Sequence, residues 1–137
     1  MNIVPLRKDT VVAAWPRIAD LLRPMIDVAH GELTPEGILR RVLNDELFVY
    51  GVANDADALI AVVLVTITDF PDTGKRILEA PFVGGSRMSE WLPAMLETLK
   101  DVARNLGCTH LRGCGRPGWE RVHPEFKKIR TVYEVTL

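Results

Sequence analysis

Cysteine is scarce, with two residues in a chain of 137. Cys108 and Cys114 stand wider apart than the paired ligands of a zinc site, and no further cluster of ligands accompanies them, so no metal site is expected. A disulfide is not expected either in a reducing compartment, and both read as ordinary small core residues. An excess of charge is missing too: 17 Lys and Arg against 18 Asp and Glu leave a formal net charge of -1. A nucleic-acid partner needs a clustered positive face, so none is expected. Long apolar runs are absent. The longest, residues 58–65, is far too short to span a bilayer, and no membrane partner is expected. The first ten residues reach charge at Arg7 and carry no apolar stretch of signal-peptide type, which points to a cytoplasmic location. Internal repeats and low-complexity tracts are also lacking.

What is present is the balance of a soluble globular protein, with 47% hydrophobic and 26% charged residues. The length suits one domain over residues 1–137 with a core of its own. Residues 2–6 form a short apolar start of strand type. Asp9 or Thr10 can cap a helix that runs through Ile18, Leu21, Leu22, Met25 and Val28, with turns started or kinked at Pro16 and Pro24 and a stop at Gly31. Thr34-Pro35 is a strong helix start, followed by the stripe Ile38, Leu39, Val42, Leu43. Residues 47–53, 59–68 and 76–83 read as three strands joined by short polar turns, an antiparallel meander. Trp91, Leu92, Met95, Leu96, Leu99, Val102, Ala103 and Leu106 make one continuous helical face, ended by Gly107. Ser89 reads as its N-cap. A strand over 109–114, a short helix over 117–123 and a final strand over 129–136 complete the chain. That last strand, rich in Val, Thr and Tyr, could leave an edge open for pairing, so a monomer or a homodimer is expected.

The succession of elements resembles the GNAT (N-acetyltransferase) superfamily over essentially the whole length. The residues that carry the likeness are Phe82-Val83-Gly84-Gly85, Glu90-Trp91-Leu92-Pro93, Gly107-Cys108 and Gly115-Arg116-Pro117-Gly118-Trp119-Glu120-Arg121-Val122. They are most similar to those of short GNAT-like proteins of phages and prophages. The resemblance implies an α/β (α+β) fold: a mixed, largely antiparallel central sheet flanked by about four helices. It also implies acetyl-CoA as cofactor, a small amine or a protein amine as acceptor, and a pantetheine site between the strands at 77–83 and 109–114.

Members of that family open the main helix with Gln or Arg, two free residues, Gly, one free residue, then Gly or Ala. The glycines let the backbone approach the coenzyme diphosphate, and the first-turn amides hold its charge. Aligned from Ala103 and Gly107, Arg87 takes the Gln/Arg position, Glu90 the first glycine and Leu92 the second. Side chains thus stand where phosphate needs room, and a glutamate uses the helix dipole an anion would exploit. The loop is degenerate. Gly84 and Gly85 either form a displaced anion nest or simply end a strand. Val83, Gly84, Gly85 and Arg87 are therefore the candidate cofactor-binding residues, with Arg87 either a phosphate contact or a solvated side chain. By the same resemblance Glu79 falls on the strand that often supplies the base, and His123 on the position of the usual tyrosine acid. Glu79 also reads as a solvent-facing strand residue, and His123 as a surface histidine at a helix end. Two functions follow as expectations: an acyl-CoA-dependent N-acetyltransferase, or a non-catalytic GNAT-fold protein that binds a protein partner in phage assembly or host interaction.

Overall fold

A computed structural model of the protein describes residues 1–116 and 118–137. Its elements are β1 (Asn2–Leu6), α1 (Lys8–Ala13), α2 (Trp15–Asp27), α3 (Pro35–Leu43), β2 (Phe48–Ala53), β3 (Leu59–Phe70), β4 (Lys75–Gly85), α4 (Met88–Asn105), β5 (His110–Gly113) and α5 (Trp119–Val122). The strands form one sheet in the order β1-β2-β3-β4-β5. The first four are antiparallel neighbours, and β5 lies parallel to β4. The fold is thus the mixed, largely antiparallel α/β sheet expected. Among the described residues five helices flank it rather than four, because the first helix is two.

The sheet is sandwiched, and β3 shows why its sequence is an unbroken apolar run. Val62 and Leu64 join the layer of α1, α2 and α3, packing with Val11, Ile18, Leu22, Ile38 and Val42. Ala61, Val63 and Val65 join the layer of α4, packing with Trp91, Met95 and Leu99. A strand covered on both faces has no polar side to show. Each such aliphatic side chain contributes about 1.5–3 kcal/mol on burial.

Local chemistry sets the boundaries. The turn after β2 is closed by the Asn54 carboxamide, which accepts from the amides of Ala56 and Ala58. The turn after β3 needs Gly74 at φ +73°. Leu64 pairs with Phe82 and Thr66 with Glu79, so Ala80 and Pro81 together stand opposite Val65. This β-bulge accommodates a proline, which has no amide to give the ladder. Thr34 caps α3 as expected, its hydroxyl accepting from the Gly37 amide at 3.0 Å. Gly107 ends α4 at φ +75°, and the Cys108 amide returns to the Ala103 carbonyl at 2.8 Å.

Several expectations are corrected. The first helical stretch starts at Lys8 and breaks at Ala14, which serves as C-cap of α1 and N-cap of α2. Pro16 lies in the first turn of α2, where a missing donor costs nothing. The N-cap of α4 is Arg87, not Ser89; Arg87 is left-handed at φ 58°. Pro93 lies inside that helix, where the bond to the Ser89 carbonyl is lost. The final strand over 129–136 is not formed, and residues 127–137 are irregular and exposed throughout. Strand propensity only makes a segment suitable for a sheet; a neighbour must supply the hydrogen bonds. The start of the last helix at Pro117 lies outside the described residues.

Candidate functional site

The candidate site is built by the parting of two parallel strands. β4 pairs with β5 from Ile77↔His110 to Ala80↔Gly113. β4 then runs on to Gly85 with β3 as its partner, while the chain beyond Gly113 turns toward α5. Val83, half-buried, and Trp119 both pack against the apolar layer of α4. The end of β4 leads through Ser86 and Arg87 into α4, whose first turn carries amides without partners inside the helix.

Val83, Gly84, Gly85 and Arg87 stand together at this junction. The two glycines have reasons of their own to be glycine. A Cβ on Gly84 would lie 2.2 Å from the Leu21 carbonyl oxygen, because α2 crosses β4 there backbone to backbone. Gly85 has φ +135°, and a Cβ would lie 2.4 Å from both Ala61 Cα and the Ile60 oxygen. The next amide, that of Ser86, is already spent on the Ile60 carbonyl at 3.1 Å. The Ser86 carbonyl in turn accepts from the buried Trp91 indole at 2.8 Å.

Arg87 is engaged as well. Its guanidinium donates twice to the Glu90 carboxylate, Nε to Oε2 at 2.6 Å and Nη2 to Oε1 at 3.0 Å. Hydrogen bonding to Arg87, then its charge, holds the Glu90 carboxyl below its ordinary value, and the same bonds raise the Arg87 guanidinium. A carboxylate in the first turn answers the helix dipole, where a bound anion would sit. In this arrangement the arginine is paired with Glu90, backbone of α2 and β3 lies close against the two glycines, and the Ser86 amide is used.

Glu79 lies on β4 before the bulge, half-buried, with its carboxylate accepting from the Thr68 hydroxyl at 3.0 Å. His123 is the C-cap of α5, and its ring lies against that of Trp119 with centroids 4.3 Å apart. Phe126 also meets Trp119, edge-on, with ring centroids 6.5 Å apart. Among the described residues no hydrogen bond or ion pair joins Glu79 to His123. Sequence reasoning missed three partners. Glu90 was legible as a partner of Arg87 from its spacing of three. Thr68 shows beside Glu79 only once the register is known, and nothing in the sequence marks Leu21 as the neighbour of Gly84.

Surface hollows lie away from the junction. One of about 320 Å³ is lined by Phe70, Pro71, Asp72, Thr73, Lys75 and Arg112. Another, of about 100 Å³, lies between α4 and β5 beside Ala103, Cys108 and Leu111. Among the described residues no three His, Cys, Asp or Glu side chains gather as a metal site would need, and no helix is long and apolar enough to cross a membrane.

No family model matches the chain, and no curated protein matches it. Solved structures do. A ribosomal-protein-alanine N-acetyltransferase from Brucella melitensis biovar Abortus 2308 is similar with a TM-score of 0.69 at 15% identity, covering 100% of both chains. Glucosamine-6-phosphate N-acetyltransferase from Arabidopsis thaliana is similar with a TM-score of 0.67 at 17% identity, covering 98% of each. An acetyltransferase from Trypanosoma brucei is similar with a TM-score of 0.68 at 12% identity, covering 99% of each. At such identities the likeness is one of fold, and it runs from end to end: this chain has the fold of the GNAT N-acetyltransferases.

Proposed function

We propose that this is a GNAT-like protein of the phage or prophage type: an acyl-CoA-dependent N-acetyltransferase scaffold, one domain over residues 1–137, with a degenerate diphosphate loop. The fold and the parting of β4 from β5 support the acetyltransferase half of this reading. The doubly bonded Arg87–Glu90 pair supports the degenerate half and is the observation that carries it. Acetyl-CoA binds weakly on this reading, and only when Arg87 leaves Glu90. Val83, Gly84, Gly85 and Arg87 are the residues nearest the coenzyme. Glu79 is the candidate base and His123 the candidate acid, and the acceptor is a small amine or a protein amine. The location is cytoplasmic.

A second reading has a specific observation in its favour. Gly84 and Gly85 are fully accounted for by the close approach of α2 and β3. On that reading the protein is non-catalytic and binds a protein partner in phage assembly or host interaction.

Calorimetry and thermal shift with acetyl-CoA separate the two. A ligand held only by the folded state adds about 2.7 kcal/mol at one hundred times its Kd. The acetyltransferase reading expects a small shift for the native chain at millimolar acetyl-CoA and a larger one for Glu90→Gly, which frees Arg87 and the helix end. Equal shifts in both chains would show that Glu90 does not hold the anion position. No shift in either leaves the non-catalytic reading.

A further inference from the structure

The two faces of the sheet part in character at the bulge. On the α4 face β3 stays apolar through Val65 and Ile67, beside Leu78 of β4 and Leu111 of β5. On the opposite face the helical layer takes Val62, Leu64 and Phe82, all on one side of the bulge. On its other side, alternation and register place Thr68 and Phe70 of β3, Lys75 and Glu79 of β4 and Arg112 of β5 on that same face. All five are half-buried, and Ile77, between Lys75 and Glu79 on this face, is fully buried. At the hairpin end the face opens into the hollow of about 320 Å³ lined by residues 70–73, Lys75 and Arg112, a volume in the range of small-ligand sites.

The groups around the hollow converge on one chemistry. Arg112 Cζ lies 5.6 Å from the centroid of the Phe70 ring, a contact that holds the guanidinium without using its N–H donors. Arg112 stands opposite Glu79 in the register, yet the Glu79 carboxylate turns to the Thr68 hydroxyl. Among the described residues neither Arg112 nor Lys75 has an ion-pair partner. Both cations face a single lining carboxylate, that of Asp72, so the hollow keeps an excess of positive charge. That excess matches the charge of a carboxylate, Asp72 repels the second charge of a phosphate, and the guanidinium fork fits both carboxylate oxygens.

We propose that this hollow takes the carboxylate end of a linear amino acid whose amine lies along the face toward Glu79. The proposal rests on the acetyltransferase reading for the role of that amine, the acceptor. Glu79 and Lys75 stand about 13 Å apart along β4, so the amine must be remote from the carboxylate, with side chains reaching in from both ends.

The probe is ε-aminocaproate, titrated into the full chain without acetyl-CoA and followed by NMR. Saturable shifts are expected at Phe70, Lys75 and Arg112 at one end and at Glu79 at the other. Hexylamine lacks the carboxylate and is expected to bind roughly ten- to a hundredfold more weakly, the worth of a charge-assisted hydrogen bond. Arg112→Gln is expected to weaken ε-aminocaproate by a similar factor, and Lys75→Gln, which leaves the hairpin backbone unchanged, to weaken it as well. Equal affinity for the two probes, unchanged affinity in both variants, or easier displacement by inorganic phosphate than by acetate would overturn the proposal. A chain that takes ε-aminocaproate but never acetyl-CoA keeps its carboxylate site and refutes the acetyltransferase reading; one that takes acetyl-CoA but not the probe refutes this proposal alone.

Discussion

Consider Gly84→Ala, a change of one methyl group at the entrance to the candidate site. The added carbon would lie 2.2 Å from the Leu21 oxygen, 2.8 Å from the Leu21 carbonyl carbon and 3.1 Å from Leu22 Cα. All three are main-chain atoms of α2, so no side chain can swing aside. Relief requires α2 or β4 to move by more than an ångström, and α2 is seated through Ile18 and Leu22, both at 0% exposure. Overpacking a core costs about 1–3 kcal/mol, and an obstacle made of backbone puts this case near about 3 kcal/mol. For a chain of this length that lowers Tm by roughly 10 °C. Gly74→Ala is the control. It meets nothing within 4 Å but sits at φ +73°, so it carries conformational strain alone, about 1 kcal/mol. Urea unfolding followed by tryptophan fluorescence measures both. If Gly84→Ala stays within about 0.5 kcal/mol of the native chain, the packing account of this glycine is wrong and a ligand-binding role regains its ground.

Two further expectations concern the same junction. Arg87 lowers the Glu90 carboxyl below its ordinary value of 4.5, so the pair's contribution to stability is complete above that pH and is lost as pH falls through the lowered value. An NMR titration of Glu90 should give a midpoint under 4.5 that returns to the ordinary value in Arg87→Ala; a midpoint indifferent to that change refutes the pairing. Trp91→Phe removes the indole donor to the Ser86 carbonyl and part of a side chain only 2% exposed, at a cost of about 2 kcal/mol in urea unfolding. A loss under about 0.5 kcal/mol would mean that the bond adds nothing to the junction.

Much of the fold was legible because its signals are local. Thr34-Pro35 announces α3 by a side-chain acceptor and a fixed φ, and Gly107 announces the end of α4 by tolerating φ > 0. The alternation of strands with polar turns gave the meander. Misjudged elements depended on geometry that composition does not encode. The break at Ala14 has no glycine to mark it, and an arginine in the left-handed region at a helix cap is not a preference one reads from residue type. Residues 129–136 have strand composition, but composition cannot supply the neighbouring strand. At the candidate site, the sequence placed Gly84, Gly85, Arg87 and Glu90 at one strand-to-helix junction, and the structure brings them together there. The sequence did not show that a helix backbone presses on Gly84, because Leu21 is distant in the chain.

The sheet is held unequally from one side to the other. β3 is bonded along both flanks and covered on both faces, whereas β5 is joined to the rest through four residue pairs along one flank. Local opening follows the number of bonds that must break together, so β5 opens more readily than β3. β5 is in this sense a lightly stitched margin on a firm body. A molecule that enters where β4 and β5 diverge therefore meets the sheet on a flank held by four residue pairs.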